Sequence, residues 1–148
     1  MKVVVQRVSQ AQVSVKGELV SKIEQGFLLL VGFTQGDGPN QIEYIARKIA
    51  RLRVFEDNLG LMNLSINEVK GKILSISQFT VYGDTVKSNR PSFTKALNYQ
   101  EANNLYLQFN EILRKEYELE VLEGLFGESM QVSLVNDGPV TIIIEKND

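Results

Sequence analysis

The sequence contains no cysteine, no histidine and no tryptophan among its 148 residues. Without cysteine there is no disulfide framework and no thiol nucleophile, and without histidine there is no Ser-His-Asp triad and no zinc finger. Histidine is also the usual proton-transfer group near neutral pH. Any general base must therefore be a carboxylate, a lysine, a tyrosine, a water molecule or a group on the substrate.

An excess of one charge and long apolar runs are also missing. The 16 basic residues nearly balance the 18 acidic ones and leave a net charge of −2, so a nucleic-acid partner requires a local basic patch. The longest apolar run, Phe27 to Val31, falls far short of the roughly 20 residues of a membrane helix. The residues after Met1 lack the apolar core of a signal peptide. We therefore expect a cytoplasmic protein with no membrane partner.

What the sequence does contain is typical of one globular domain spanning residues 1–148. Hydrophobic residues make up 43% and charged residues 23% of the chain, close to globular averages. A chain of this length buries about two thirds of its extended surface on folding, which suffices for one core. Asp and Glu are scattered without the spacing of metal ligands, so we expect neither a metal site nor a cofactor.

Alternation of apolar and polar residues predicts a sheet built largely from hairpins. Residues 11–15 and 19–23 alternate around Lys16-Gly17 and predict a hairpin, whereas residues 27–33 are apolar throughout, as in a central strand. Near the end, residues 131–135 and 140–145 predict two strands joined by a turn. The pattern favours an antiparallel arrangement over alternating βαβ units.

Two segments show the 3.6-residue periodicity of amphipathic helices. Their apolar positions are Ile42, Ile45, Ala46, Ile49 and Leu52 in the first, and Ala102, Leu105, Tyr106, Phe109, Ile112 and Leu113 in the second. The first helix also carries Arg47, Lys48 and Arg51, which we interpret as a solvated helix surface. Together these elements predict an α+β fold, a mostly antiparallel sheet or partial barrel with two main helices.

The segment Ser77-Gln78-Phe79-Thr80 ends a strand that begins near Ile73 and combines two hydroxyls, an amide and an aromatic ring. These groups are either ordinary hydrogen-bonding partners at a strand end or part of an oxyanion hole. In the second case, backbone N–H groups or the Gln78 amide would stabilise negative charge on a reacting carbonyl.

Two other segments allow a structural and a functional interpretation. Asn136-Asp137-Gly138-Pro139 is either a simple hairpin turn or a stiff backbone segment that approaches a ligand closely, because glycine lacks a β-carbon and Gly-Pro has a cis option. The loop from Asp84 to Lys95 carries Lys87, Arg90 and Lys95. These cations are either solvated or form a rim that contacts phosphates.

Taken in order along the whole chain, the motifs resemble the D-aminoacyl-tRNA deacylase family. The segments that carry the resemblance are Val4-Val5-Gln6-Arg7-Val8, Leu52-Arg53-Val54-Phe55-Glu56-Asp57, Met62-Asn63-Leu64-Ser65, Ser77-Gln78-Phe79-Thr80, Asn89-Arg90-Pro91-Ser92-Phe93, Met130-Gln131-Val132 and Asn136 to Thr141. The resemblance implies a homodimer that hydrolyses the ester between a D-amino acid and the 3′ terminal adenosine of tRNA.

The resemblance also implies roles for individual residues. Its two signature motifs correspond to Ser77-Gln78-Phe79-Thr80, the catalytic segment, and to Gly138-Pro139, whose peptide bond is cis in the family and enters the pocket of the partner subunit. Each active site is then shared across the dimer. Arg7 corresponds to the arginine that supports the Gly-Pro loop, and Phe126 and Met130 correspond to residues that line the pocket.

Three positions depart from the family pattern. Gly83 stands where alanine is expected, Leu61 where lysine is frequent, and Glu123-Gly124-Leu125 where threonine-glycine-arginine is common. The two lost basic residues bear on contacts with the tRNA backbone rather than on the reaction. Two alternatives remain at this level: a non-catalytic dimeric RNA-binding module, and a related proofreader of mischarged L-alanyl-tRNA.

Overall fold

The computed structural model describes all 148 residues. Its elements are β1 (Lys2–Val15), β2 (Glu18–Ile23), β3 (Gly26–Gly32), α1 (Pro39–Arg51), β4 (Phe55–Glu56), β5 (Met62–Leu64), β6 (Lys72–Ser77), the 3-10 turn (Phe79–Tyr82), α2 (Tyr99–Lys115), β7 (Val121–Glu123) and β8 (Gln131–Glu145). Neither helix combines the length and the apolar character that crossing a bilayer requires.

Strand β1 organises the sheet because it pairs along both of its edges. It runs antiparallel to β2 and β3 along one edge and to β8 along the other. Strands β3, β6 and β7 are parallel to one another, since the chain between them passes through α1 and then α2. The Ser21 hydroxyl of β2 donates to the Glu123 carbonyl of β7 at 2.6 Å. The sheet thus closes into a nearly complete barrel.

The core has two parts, one on each face of β3. Phe27 and Leu29 lie in the larger cluster, beneath the apolar faces of α1 and α2, whereas Leu28 lies in a smaller cluster inside the barrel. Each fully buried side chain of this size contributes about 1.5–3 kcal/mol of transfer free energy. Burial on both faces confirms the predicted central strand, and the α+β class with two helices on a mostly antiparallel sheet is also confirmed.

Both predicted helices are confirmed, and both have polar side chains at their N-terminal ends. The Gln41 side chain of α1 accepts a hydrogen bond from the Gly38 N–H at 2.9 Å. The Asn98 side chain accepts one from the Glu101 N–H at 3.0 Å at the start of α2. These bonds satisfy backbone donors that have no partner inside a first helical turn.

Strand β8 differs from the expectation of two strands joined by a hairpin turn. It is one strand of 15 residues, and both of its halves pair with β1 rather than with each other. Gln6 pairs with Thr141 and Val8 with Asn136, so residues 137–140 lie opposite Arg7 alone. The turn-forming composition of this segment therefore produces a wide bulge, which we call the 137–140 bulge.

Candidate active site

A cavity of about 600 Å³ lies where β3 and β6 end. It is bounded by the 3-10 turn, the segment that leads into α2, and residues 126–132. Its lining residues include Val31, Gly32, Phe33, Ile76, Ser77, Gln78, Phe79, Phe93, Leu97, Tyr99, Phe126, Glu128, Met130 and Val132. The cavity is therefore largely apolar, with polar groups concentrated at the end of β6.

Two aromatic pairs form opposite parts of the cavity wall. Phe79 and Phe93 meet edge to face with ring centroids 5.1 Å apart, and Tyr99 and Phe126 do so at 4.9 Å. Phe79 keeps 58% of its surface exposed, and Tyr99 keeps 63%. Exposed rings at the mouth of an apolar cavity are suited to stacking on a flat ligand.

The position of the 3-10 turn follows from backbone contacts at the ends of β3 and β6. The Gln78 N–H donates to the Val31 carbonyl at 2.8 Å, which extends the β3–β6 ladder by one bond. A β-carbon on Gly32 would overlap the Val81 side chain, so only glycine allows the turn to pack directly on β3. This close contact fixes the first residues of the turn beside the cavity.

The N–H groups of Phe79 and Thr80 donate no hydrogen bond within the protein. They are the first two donors of the 3-10 turn, and donors at the start of a helical turn have no carbonyl partner inside it. The turn itself is closed by the bond from the Gly83 N–H to the Thr80 carbonyl at 2.9 Å. Two adjacent backbone donors are thus free to stabilise an anionic oxygen.

Thr80 has no general base beside it. Its hydroxyl accepts a hydrogen bond from the Gln78 amide, which cannot take up a proton. No carboxylate or lysine forms a hydrogen bond with Thr80, and its side chain lies beside the cavity rather than among the lining residues. The geometry therefore offers no route to a threonine alkoxide.

The Arg7 side chain links the 137–140 bulge to the segment that precedes β4. The side chain is 5% exposed, and its Nε donates to the Asp137 carbonyl at 3.0 Å while Nη1 donates to the Val54 carbonyl at 2.6 Å. Gly138 has a φ of 126°, and a β-carbon there would lie 3.1 Å from Nη2 of Arg7. The Gly138–Pro139 peptide bond is cis.

The structure brings some of the predicted site residues together in the cavity and places the others outside it. Ser77, Gln78 and Phe79 line the cavity, as do Phe126 and Met130. Gly138 and Pro139 do not line the cavity of their own chain. Sequence patterns missed Phe93 and Tyr99; Tyr99 occupies the first position of α2, outside the apolar stripe that revealed the helix.

The basic loop after the 3-10 turn forms one rim of the cavity, because Phe93 belongs to it. Lys95 forms an ion pair with Asp84 at 3.3 Å. A hydrogen bond from the Val86 N–H, together with Lys95, lowers the pKa of the Asp84 carboxyl below its ordinary value. Lys87 and Arg90 are exposed and form no ion pair. Only these two cations of the loop are therefore free for an external anion.

A buried polar group joins α2 to β6 beneath the cavity. The Tyr106 hydroxyl donates to the Ser75 carbonyl at 2.7 Å, and burial raises the pKa of Tyr106 to about 12. Tyr106 therefore remains a neutral donor throughout the physiological pH range. Its ring packs against Phe126 with centroids 5.7 Å apart, so this contact also positions one wall of the cavity.

Comparison with known proteins identifies the family. The family model described as D-Tyr-tRNA(Tyr) deacylase matches residues 4–145. A D-aminoacyl-tRNA deacylase of Exiguobacterium sibiricum is 54% identical over 146 residues, which cover 99% of this chain and 100% of that protein. A second one, from another Exiguobacterium strain, is 53% identical over 147 residues and 99% of both chains.

Solved structures agree with the sequence comparison. A protein called c-Myc DNA Unwinding Element Binding Protein superposes with a TM-score of 0.93 and 43% identity over 100% of both chains. A probable eukaryotic D-amino acid tRNA deacylase, at 16% identity and a TM-score of 0.80 over 97% of both chains, shares the fold. The family model matches this chain over nearly its whole length, and the two Exiguobacterium proteins are more than half identical to it. This chain therefore belongs to the D-Tyr-tRNA(Tyr) deacylase family.

Proposed function

We propose that this protein hydrolyses the ester between a D-amino acid and the 3′ terminal adenosine of tRNA, and that it does so in the cytoplasm. The observation that carries the proposal is the position of two free backbone donors, the N–H groups of Phe79 and Thr80, beside an aromatic cavity. The aromatic walls suit a purine base, and the donors suit the oxygen of a reacting ester. Family membership supports the same reaction.

The cavity has a suitable size for the terminal nucleoside. Its volume of about 600 Å³ falls within the range of small-molecule sites, roughly 300–1,000 Å³. The adenine base stacks against the ring of Tyr99 or of Phe79, the more exposed member of each aromatic pair. Either placement leaves the ribose and its ester near the end of β6, where Ser77 and Gln78 supply polar contacts.

The chemistry relies on positioning and oxyanion stabilisation rather than on an activated side chain. Water attacks the ester carbonyl, and the Phe79 and Thr80 N–H groups stabilise the resulting tetrahedral oxyanion. Its collapse breaks the bond to the ribose 3′ oxygen, which leaves as a hydroxyl with a proton from the attacking water. The ribose 2′-hydroxyl, next to the ester, orients or activates that water. A single well-placed oxyanion donor contributes about 10²–10³ in rate, which is a large share of what an already reactive ester needs.

We further propose that the functional unit is a homodimer in which the 137–140 bulge of one copy enters the cavity of the other. Strand β8 pairs with β1 on one edge only, and Ile143 and Val135 on it are 65% and 47% exposed. An open strand edge of this length favours pairing with a second copy. Sedimentation at micromolar concentration should give twice the monomer mass; a monomer that retains full activity would contradict this arrangement.

In this arrangement the bulge acts as a chiral filter by excluding the L side chain. Glycine at position 138 allows the backbone of the partner's bulge to come close to the substrate α-carbon. A D side chain then points away from the bulge, whereas an L side chain meets backbone held in place by Arg7. Many D-amino acids should be accepted, and glycine, which has no side chain to exclude, should also be hydrolysed.

A deacylation assay with D-tyrosyl-, L-tyrosyl- and glycyl-tRNA tests the function directly. Catalytic amounts of protein should release D-tyrosine over many turnovers, release glycine as well, and leave L-tyrosyl-tRNA intact. Binding of tRNA without turnover would instead indicate an RNA-binding module. Preferential release of L-alanine from mischarged tRNA would indicate a different proofreading specificity.

Replacing the Thr80 hydroxyl should cost little activity. Thr80→Ala removes an exposed side chain whose hydroxyl has only the Gln78 amide as a partner, while its backbone N–H stays in place. We expect the rate of D-tyrosyl-tRNA hydrolysis to fall by less than about tenfold, whereas a substrate with a 2′-deoxy terminal adenosine should bind normally and react far more slowly. An acyl-threonine intermediate, or an inactive variant that still binds tRNA, would contradict substrate assistance.

Removing the Arg90 charge should weaken tRNA binding in a salt-dependent manner. Arg90 is exposed and free of ion pairs, whereas Lys95 on the same loop is engaged by Asp84. We expect Arg90→Ala to reduce the slope of log affinity against log salt by about 0.7–0.9, the value for one phosphate contact. Lys95→Ala is the matched control and should change the slope less. Equal slopes for the wild type and Arg90→Ala would show that this loop does not contact phosphates.

A further inference from the structure

The outer surface of α1 carries a cluster of cations. From the sequence alone, we interpret the α1 cations as a solvated helix surface. Arg47 and Lys48 of α1 and Lys146, just after β8, all lie over the ring of Tyr44. Their distances to the ring centroid are 5.7, 5.7 and 5.0 Å. None of these three cations forms a salt bridge. Three like charges gathered on one half-buried ring, in a protein of net charge −2, form a local positive surface.

This surface and the candidate active site lie at the same end of β1. Lys2 lies over the ring of Tyr82, with 5.0 Å from its Nζ to the centroid, and donates to the Val81 carbonyl at 3.4 Å. Both partners belong to the 3-10 turn that carries the free N–H groups. Lys146 follows Glu145, the partner of Lys2, and its N–H donates to the Met1 carbonyl at 2.9 Å, so its backbone lies at the same end of β1 while its side chain lies on the face of α1.

The acidic residues that are close in sequence to Tyr44 and Lys146 form no ion pairs with the cations around Tyr44. Glu43 precedes Tyr44 and forms no ion pair, and Glu145 forms one with Lys2 alone, at 4.0 Å. The nearby Asp37 carboxylate is buried against the Met1 ammonium at 2.7 Å and is not available to the surface lysines. Arg47, Lys48 and Lys146 therefore remain free to bind an external anion.

We propose that Arg47, Lys48 and Lys146, here called the basic track, bind the phosphate backbone of the tRNA acceptor stem. This inference rests on the proposed function, because the track lies at the same end of β1 as the turn where the terminal adenosine would react. A duplex stem that continues from the 3′ end presents phosphates on both strands, and spaced lysine and arginine side chains match such a surface. Contacts of this kind position the RNA without reading its sequence.

The test compares two variants that each lose two positive charges. Arg47→Ala/Lys48→Ala alters exposed helix positions where alanine is a good helix former, so the fold is retained. The control, Lys16→Asn/Lys22→Ala, alters exposed lysines around the far hairpin, and asparagine tolerates the left-handed backbone of residue 16. Lys22 pairs with Gln12, about 30 Å along β1 from Lys2.

Binding is measured with uncharged tRNA over a range of salt concentrations. The track variant should bind about tenfold more weakly, and its slope of log affinity against log salt should be smaller by about 1.4–1.8, while the control should match the wild type. Unchanged affinity and slope for the track variant, or an equal loss in the control, would overturn the proposal. So would unchanged tRNA binding together with lost binding to phosphatidylglycerol vesicles, which would make the track a lipid surface.

A second measurement separates this proposal from the proposed function. On a D-aminoacyl ester of a short CCA fragment, which has no stem, the track variant should have the same kcat/KM as the wild type, while on full-length D-aminoacyl-tRNA its kcat/KM should fall about tenfold. An equal fall on both substrates would overturn the stem contact. A wild-type protein that hydrolyses neither substrate would refute only the proposed function, since the uncharged-tRNA measurement would still report on the track.

Discussion

Phe79→Pro should reduce the rate of D-aminoacyl-tRNA hydrolysis by about 10²–10³ more than Phe79→Ala does. Both variants remove the exposed ring, but only proline also removes the backbone N–H that we assign to the oxyanion. Proline fits the first position of a helical turn, and the preceding Gln78, with φ −148° and ψ 83°, has the extended φ suited to a residue before proline. The difference between the two variants thus isolates one backbone donor.

The measurement is single-turnover hydrolysis at saturating protein, together with tRNA affinity. Both variants should bind tRNA alike, because the N–H is required only when negative charge develops on the ester oxygen. Thermal unfolding should also be similar, since the Phe79 N–H has no partner within the protein to lose. Equal rates for the two variants would show that this donor does not act on the reacting oxygen.

Arg7→Met should lower both the stability of the protein and its discrimination between D- and L-substrates. The substitution leaves the Val54 and Asp137 carbonyls without their donor, at a cost on the order of 2–3 kcal/mol in the free energy of unfolding. It also releases the 137–140 bulge from its support. Since displacement of a positioning group by about 1 Å can cost 10²-fold, we expect the D-to-L rate ratio to fall by about 10- to 100-fold.

Asp137→Asn provides the matched control. It removes only the carboxylate of a 3.4 Å ion pair whose acidic side chain is 50% exposed, and it keeps the backbone carbonyl that accepts from Arg7. The rate ratio should stay near the wild-type value because the backbone carbonyl of residue 137 still holds the bulge. Stability should fall, because the buried Arg7 loses its only carboxylate. A purely structural role for Arg7 would lower stability and leave the ratio unchanged, and that result would refute the chiral filter as we describe it.

Local sequence patterns predicted the helices and most strands well, but they did not predict which strands pair with each other in every case. The hairpin around Lys16-Gly17 was identifiable because its two strands are adjacent in sequence. The turn-like composition of residues 136–139 resembled another hairpin, yet both flanking segments pair with β1 from the other end of the chain. Residue composition specifies where a chain can bend, whereas the choice of a distant partner depends on burial in the whole fold.

The sequence predicted those site residues that belong to recognisable motifs. Ser77, Gln78 and Phe79 share one short segment, so their common position in the cavity follows from sequence adjacency. The cavity also needs Phe93 and Tyr99, which come from a loop and from the first residue of a helix. Neither position shows periodicity, and only the folded chain brings both side chains to the same cavity.

The pairing of β1 with β8 has a consequence for how the protein folds. This ladder joins the most distant parts of the sequence, from Lys2 with Glu145 to Ser14 with Gln131, and it is the most extensive pairing in the sheet. Non-local ladders of this kind give a high contact order and slow folding. During synthesis, the edge of β1 that pairs with β8 stays unpaired until nearly the whole chain has been made. Arg7 therefore acquires its Asp137 partner late, and the 137–140 bulge should reach its supported position only in the final folding step.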